Sequence, residues 1–374
     1  MKQQQHSKFS SFETSLMKKL IKKAERYRGF TYPNPLVAAA IYKGSTVISY
    51  GVHKKHGDNH AEVDAIKQAK GSVKGASIMI TLEPCTHTGL TPPCVSAIIK
   101  SEIKEVIFAV EDPCDLVRKK SAKTILEDHG IIVRSGLLRD EAYQLNHDYM
   151  YCHHNKKPFI HLKAGMSLDG KIALASGESC YITNELSRKK VHEIRSQVNA
   201  IVIGSGTLHN DNPKLTVRYD YLKKNQIPPS IIVFSNNHNI DKSSHAIFES
   251  GYRIILVTSN PKIKGSHFSE VWLISNSKSI NQIDLNVFLK KCYENKLYGL
   301  LIEGGSELYS TFLNAGIVNK CSFFIAPKLF GQADAKNFVE LEKVTSLSDI
   351  LTLDNIQIEQ YGNDVCISGF CSSS

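Results

Sequence analysis

Apolar residues recur at two different periods along this chain, and the changes of period outline its elements. In "SLMKKLIKKAERY", Leu16, Leu20 and Ala24 form one stripe among lysines, which predicts an amphipathic helix. "LVAAAIY" and "TVISYGV" are short apolar runs broken by Lys43-Gly44, the pattern of a hairpin. The pattern then predicts a helix from His60 to Ala69, a strand from Ala76 to Thr81, a helix from Val95 to Lys100 and a strand from Glu105 to Val110. Another helix and strand follow between Thr124 and Val133, and then a helix through Tyr151. "CHHNKKP", residues 152–158, is polar and ends in Pro, so a domain boundary is expected there, with His153 and His154 as linker residues. Beyond it the apolar runs "FIHLKAGM", "AIVIGSG", "SIIVFS", "RIILVT", "VWLIS", "GLLIEGG" and "CSFFIAP" predict strands. Helices are predicted between several of them, at Glu185–Arg195, Leu285–Glu294 and Glu307–Ala315. Strands alternating with helices indicate a second α/β domain with a largely parallel sheet.

Length agrees with that division, since 374 residues exceed one ordinary core. The expected organisation is a disordered extension over 1–13, a first domain over 14–152, a linker over 153–157 and a second domain over 158–374. No run of 18 or more apolar residues occurs, so no transmembrane helix is expected. The start lacks an apolar core followed by a small-residue cleavage site, so no secretory leader is expected either. The nine cysteines are scattered and odd in number, which suits a reducing, cytoplasmic setting better than a disulfide framework. A formal charge of +10 suits an anionic ligand or nucleic acid. The basic residues are spread out, however, and the one dense cluster, "KKLIKKAERYR", reads as a solvated helix face.

The stretch from His60 to Cys94 carries the clearest chemistry. His60, Cys85 and Cys94 offer one imidazole and two thiols, and a three-donor set leaves a fourth tetrahedral position of a zinc ion open. Glu62 stands two residues from the histidine, placed to move protons without binding the metal. The alternative is a closed structural site with His87 as fourth ligand, which leaves Glu62 without a task. The order His-x-Glu followed by Pro-Cys is that of zinc deaminases, although eight residues separate the two cysteines where those enzymes have two. In the second half, "GSGT" at Gly204–Thr207 and "EGG" at Glu303–Gly305 follow apolar strands, where glycines let backbone amides approach a phosphate.

"TLEPCTHTGLTPPC", with "YPNP" at Tyr32–Pro35 upstream, resembles the bifunctional deaminase–reductases of riboflavin biosynthesis. "LKAGMSLDGKIALASGES", "GSGTLHNDNPKLTVR", "LIEGGSELYSTFLNAGIV" and "IAPKLFG" resemble the reductase half of the same family. The resemblance implies a cytidine-deaminase-like αβα domain followed by a dihydrofolate-reductase-like α/β domain. It implies Zn2+ on His60, Cys85 and Cys94, with Glu62 as the catalytic proton shuttle and Asn34 and His53 on the substrate. The implied first reaction hydrolyses an amino group of a phosphoribosylated diaminopyrimidine, and the second reduces its ribosyl chain with NADPH.

For that second reaction the resemblance puts Lys163, Thr183, Arg195, Asp211, Lys214, Leu215, Arg218 and Glu303 on the substrate side. Arg195 and Arg218 are then the natural phosphate partners. Gly204, Ser205, Gly206, Thr207, Gly304 and Gly305 fall toward the cofactor. A cytoplasmic homo-oligomer acting on a small molecule, with neither nucleic acid nor membrane as partner, is the corresponding expectation. Some positions depart from the family: Leu90 replaces a basic residue, Cys114 an Asn, Lys119 and Ser121 glycines, and Tyr181 a Trp, and "PPSIIVFS" lacks the usual Arg and Asp. These predict weaker substrate binding more than a lost metal site. Two other readings stand beside this one. The first is a reductase with a degenerate deaminase domain. The second is a zinc-containing nucleic-acid-binding protein, which leaves Lys163, Asp211 and Glu303 unexplained.

Overall fold

The computed structural model describes residues 9–89, 92–118, 121–176, 178, 181–221, 226–236, 240, 244–263, 265, 267–275, 282–342 and 344–372, without the side chains of residues 116 and 118. Its backbone divides into two units, Met1–Lys156 and Lys157–Ser374.

In the first unit α1 (Ser11–Glu25) begins at a capping box. The Glu13 amide donates to Ser10 Oγ at 3.1 Å, and the Ser10 amide donates to the Glu13 carboxylate at 2.7 Å. The exchange satisfies two amides in the region where a helix start leaves donors open. Order therefore starts ahead of residue 14, which corrects the expected disordered segment through 13. Its stripe of Leu16, Leu20 and Ala24, joined by Met17, is buried. There follow β1 (Ala38–Lys43), β2 (Thr46–Val52), α2 (Ala61–Gln68), β3 (Ser77–Ile80), α3 (Cys94–Lys100) and β4 (Glu105–Phe108). The unit closes with α4 (Asp115–Arg118), α5 (Ala122–Asp128), β5 (Ile132–Ser135), α6 (Arg139–Leu145) and α7 (His147–Asn155).

The sheet order is β2-β1-β3-β4-β5, antiparallel on both sides of β1 and parallel from β3 to β5. Alternate residues of β1 face opposite cores: Ala38, Ala40 and Tyr42 join Leu16, Leu20 and Leu145, while Ala39 and Ile41 join Ile98 and Leu126. This is an αβα sandwich. Gly51 of β2 is required, because a Cβ there would lie 2.0 Å from the Ala61 carbonyl oxygen and 2.2 Å from the Ala65 amide. That close approach seats the start of α2, and His60 with it, against the sheet. At the far end α7 runs on through Asn155, so His153 and His154 are helical, which corrects their placement in a linker. His153 lies against Tyr149 (ring centroids 4.4 Å apart), and packing of this kind extends the helix where polarity alone suggested a break.

The second unit contains β6 (Phe159–Ser167), β7 (Lys171–Ala173), α8 (Glu185–Arg195), β8 (Ala200–Gly204), α9 (Ser205–Asp211), β9 (Ser230–Phe234), β10 (Ile254–Thr258) and β11 (Glu270–Leu273). It continues with α10 (Leu285–Glu294), β12 (Gly299–Ile302), α11 (Ser306–Asn314), β13 (Lys320–Ala326), β14 (Lys336–Asn337), β15 (Leu353–Tyr361) and β16 (Asp364–Cys371). A nine-stranded sheet has the order β11-β10-β9-β8-β12-β6-β13-β16-β15, parallel from β11 to β13 and antiparallel over the last two strands. Its parallel strands are apolar on both faces, Val202 and Ile255 toward one core, Ile201 and Leu256 toward the other.

The chain leaves β8 toward β9 but leaves β12 toward β13, on opposite sides. The crevice at the carboxyl ends of these adjacent strands is therefore a topological switch point, where open α/β sheets bind ligands. The closing β15–β16 hairpin turns at Gly362, whose φ of 62° suits glycine.

Candidate functional sites

In the first unit three donors converge from three elements. His60 is the N-cap of α2, Cys94 is the first residue of α3, and Cys85 lies in the loop between β3 and α3. His60 Nδ1 is 3.2 Å from Cys94 Sγ and 3.4 Å from Cys85 Sγ, and all three donor atoms lie within 4.8 Å of one another. Zn–N bonds of about 2.0 Å and Zn–S bonds of about 2.3 Å at tetrahedral angles separate donors by roughly 3.5–3.8 Å, so the cluster fits a zinc ion. It is the one such group among the described residues, and His87 does not belong to it.

The cluster is poor in positive charge. The Cys94 amide donates to Cys85 Sγ at 3.3 Å. The hydrogen bond from the Cys94 thiol, with His60 and this amide, favours a Cys85 thiolate, and that same bond and then burial push the Cys94 thiol up. Glu62, 3% exposed, is pushed up to about 7 by burial and then by Cys85. A divalent cation would relieve all three groups at once.

Beside the cluster, His53 is buried and held neutral by that burial. Its Nδ1 faces the Asn59 carbonyl and its Nε2 faces Asn34 Nδ2, each at 3.1 Å. Its ring stands edge-on to His60 with centroids 5.4 Å apart. Asn34, His53, His60 and Glu62 are thus brought together in one place. Cys114, which stands where the family has Asn, uses its amide to donate to Asp112 Oδ1 at 2.9 Å. Ser121 precedes α5 as its N-cap residue. Leu90, Lys119 and Lys120 lie outside the described residues, as does the side chain of Arg118.

The second unit assembles a different kind of cluster. Glu303 immediately follows β12, with its side chain 5% exposed, and accepts from two cations. Arg195 at the end of α8 donates through Nε and Nη2 at 2.6 and 2.9 Å, and Lys163 of β6 lies 2.8 Å away. Arg195 and Lys163 therefore hold the Glu303 carboxyl well below its ordinary range despite burial. The remaining reach of Arg195, through Nη1, goes to the Thr216 carbonyl at 3.4 Å. The Arg195 fork thus holds a buried carboxylate, so a phosphate at the same guanidinium would compete with Glu303. Arg218 is exposed, and its amide donates to His192 Nδ1 at 3.2 Å. Thr183 packs its methyl over Gly165, where a Cβ would come within 3.4 Å, and Asp211 is exposed at the end of α9.

Two expected substrate residues are placed differently. Lys214 is exposed and reaches Glu249 at 3.9 Å. Leu215 is 4% exposed within the apolar core, with its backbone at φ 51°. Tyr181 is 70% exposed, with the Arg188 guanidinium 4.6 Å from its ring centre.

The glycine turns sit at the switch point. Gly204 ends β8 and caps α9, and Gly305 caps α11 after β12. A Cβ at Gly204 or Gly206 would meet nothing within 4 Å, and one at Gly305 would meet Thr207 Oγ1 at 3.6 Å. Open backbone at adjacent parallel strand ends fits a dinucleotide phosphate. Gly304 has another reason to be glycine: a Cβ there would lie 2.6 Å from Leu308.

Sequence reasoning missed several residues. Tyr309 of α11 donates from its hydroxyl to the Lys163 carbonyl at 2.8 Å, and His192 is buried beneath Arg218. Asn146 and Asp148, also buried, bond to the segment that carries Asn34. A buried aromatic, His or Asn in a helix has no signature in a single sequence.

Two family signatures match this chain, the cytidine and deoxycytidylate deaminase zinc-binding region over residues 10–110 and the RibD C-terminal domain over 158–367. The riboflavin biosynthesis protein RibD of Bacillus amyloliquefaciens is 34% identical over 356 residues, covering 94% of this chain and 95% of its own. That of Escherichia coli strain K12 is 33% identical over 360 residues, covering 94% and 97%. Among solved structures, Acinetobacter baumannii RibD superposes with a TM-score of 0.87 at 28% identity, covering 97% of this chain and 99% of its own. The Thermotoga maritima diaminohydroxyphosphoribosylaminopyrimidine deaminase/5-amino-6-(5-phosphoribosylamino)uracil reductase gives 0.84 at 29%, covering 96% and 99%.

Proposed function

The chain belongs to the RibD family, the bifunctional deaminase–reductases of riboflavin biosynthesis, and from that premise we propose how its residues divide the two reactions. The first unit is a zinc-dependent hydrolase and the second an NADPH-dependent oxidoreductase. The observation that carries the assignment in the first unit is the open three-donor cluster with a buried carboxylate beside it.

His60, Cys85 and Cys94 would hold the zinc, which supplies a hydroxide at neutral pH when bound. Glu62 receives the proton released from water and delivers it to the ring nitrogen, then carries a second proton, from the newly added hydroxyl, to the amino group, which departs as ammonia. The Glu62 side chain, buried beside the cluster, is close enough to exchange protons there without being one of the three ligands. Asn34 and neutral His53 orient the pyrimidine through their polar edges, and burial of the site keeps bulk water from competing.

In the second unit Gly204–Thr207 and Gly304–Gly305 would hold NADPH, which when bound would supply the hydride that reduces the ring-opened, imine form of the sugar. Lys163, held at Nζ by Glu303, keeps a proton on the substrate side, while Asp211 accepts from the sugar hydroxyls and Thr183 and exposed Arg218 bind the phosphate. Arg195 fixes Glu303 in this reading and does not itself grip phosphate.

The protein acts in the cytoplasm as a homo-oligomer in this proposal. Support comes from the eight described cysteines, none joined in a disulfide, and from the open edge strand β15, where Ile356 and Ile358 are 56% and 70% exposed. Light scattering of the purified chain reads the assembly directly. No helix among the described residues is long and apolar enough to cross a membrane.

The deciding assay supplies the phosphoribosylated diaminopyrimidine with and without NADPH and identifies products by mass. Replacement of an amino group by oxygen is expected first, and a gain of two hydrogens only with NADPH. Zinc-loaded protein that reduces a supplied deaminated substrate yet never deaminates would establish the reductase-only alternative.

A further inference from the structure

The loop that carries Asn34 is clamped from a distant part of the first unit. Residues 31–36 lie between α1 and β1, and within them the Asn34 amide donates to the Thr31 carbonyl at 2.8 Å. The other restraints come from the α6–α7 junction. Asn146, 2% exposed, accepts at Oδ1 from the Leu36 amide at 2.7 Å and donates from Nδ2 to the Leu36 carbonyl at 2.9 Å. One side-chain amide thereby pairs both backbone groups of a residue 110 positions away, as a neighbouring strand would. Two residues on, buried Asp148 accepts from the Tyr32 hydroxyl. Just ahead of the loop, Arg28 donates from Nη2 to the Leu145 carbonyl at 2.6 Å.

These contacts bracket Asn34 at positions 28, 32 and 36. Its own side chain projects to His53 Nε2 at 3.1 Å, and His53 in turn stands against His60. A buried polar group left unpaired is costly, so Leu36 and Tyr32 resist any shift that breaks these bonds. The matched deaminase signature ends at residue 110, well before α6 and α7.

We propose that Asn146 and Asp148 are positioning residues for deamination, fixing the 31–36 loop so that the Asn34 amide is preoriented for the pyrimidine. The proposal rests on the reading of Asn34 as a substrate contact. It makes α6 and α7 working parts of the deaminase in addition to the covering of its sheet.

The test is a double-mutant cycle in the full chain, reading KM and kcat for deamination, zinc content and NADPH-dependent reduction. Asn34→Ala should raise KM by about thirtyfold and Asn146→Ala by about tenfold, as loss of an orienting hydrogen bond predicts. Zinc content, kcat within about twofold and reduction should be retained. In the Asn34→Ala background, Asn146→Ala should add nothing, because it acts through Asn34. Should Asn146→Ala lose zinc through misfolding, Tyr32→Phe replaces it in the same cycle, with an expected rise of about threefold in KM. Multiplying effects, or a fall in kcat without a change in KM, would overturn the positioning role while leaving Asn34 as a contact. An unchanged KM in Asn34→Ala would instead remove the reading on which the proposal stands.

Discussion

The two units each bury a charged cluster, but the clusters are built in opposite ways. Around His60, Cys85 and Cys94 the buried groups are a histidine, two thiols and the Glu62 carboxyl, with the carboxyl pushed up to about 7. Around Glu303 the charges already balance, with Arg195 and Lys163 on either side and the carboxyl held low. Burial acts on both carboxyls in the same direction, raising them. Neighbouring charge decides the outcome, adding to that rise at Glu62 and overwhelming it at Glu303. The first cluster is thus short of a cation and suited to receive a metal. The second is complete in itself and suited to hold a lysine in one place.

The largest effect expected from this contrast is on metal removal. Chelation should abolish deamination and leave reduction of a supplied deaminated substrate intact, with about one zinc per chain in the untreated protein. Glu62→Gln should keep the zinc and lower the deamination rate by about a thousandfold. Metal analysis paired with both assays checks this, and a variant that still deaminates at the native rate would remove Glu62 from the chemistry.

Breaking the balanced cluster should cost stability as well as activity. Glu303→Gln leaves two neighbouring cations buried without their counter-charge, a change worth about 3–5 kcal/mol. Denaturant unfolding should report that loss, reduction should fall by at least about a hundredfold, and deamination should persist. A parallel loss of deamination would show that the two clusters are not independent.

The same balance predicts a pH dependence. Glu303 has a lowered folded pKa, so its stabilisation is full above the unfolded carboxylate value of about 4.3 and is lost as pH falls through the folded value. His192 is held down to about 4 by burial and by Arg195 and Arg218. The unfolded chain takes up that proton from about 6.5 downward, so stability falls between about 6.5 and 4 before Glu303 contributes. Thermal unfolding at pH 7, 5.5 and 4.5 should show the earlier step, and His192→Asn should flatten it.

The smallest effect concerns Cys114 and Leu90, where the resemblance leads us to expect an Asn and a basic residue. Cys114 lacks the paired donor and acceptor of an asparagine amide, and Leu90 lacks a charge. Cys114→Asn and Leu90→Lys should each lower KM for deamination by about threefold to tenfold, the worth of one hydrogen bond. Unchanged kinetics in both would mean that substrate is held without these positions, by Asn34, His53 and their supports.

Legibility in the sequence differed between the clusters for a physical reason. His60, Glu62, Cys85 and Cys94 lie within one strand–helix stretch, so their spacing along the chain already reflects their spacing in space. Several helices were equally plain: the pattern predicts Glu185–Arg195 and Leu285–Glu294 with the bounds they have. Local patterns of apolar period and capping set such elements. The start of α1 was harder, because its stabilising pair, Ser10 and Glu13, lies ahead of the apolar stripe. The C-terminal end of α7 was hidden because aromatic packing extends a stretch that reads as polar.

What the sequence determined by itself was therefore the two α/β units, the metal-ligand set and, through resemblance, the residues that gather in each. Only the tertiary structure decided what those residues do to one another. Lys163 and Arg195 come from β6 and α8 and Glu303 from just past β12, and nothing in their spacing says that the Arg195 fork meets Glu303. Nor does it say that Leu215 turns into the core, or that Asn146 reaches back to Leu36. Hydrogen bonds and ion pairs act over about 3 Å of space regardless of separation along the chain. A residue's partner is fixed only when the sheet order has brought distant strands and helices side by side.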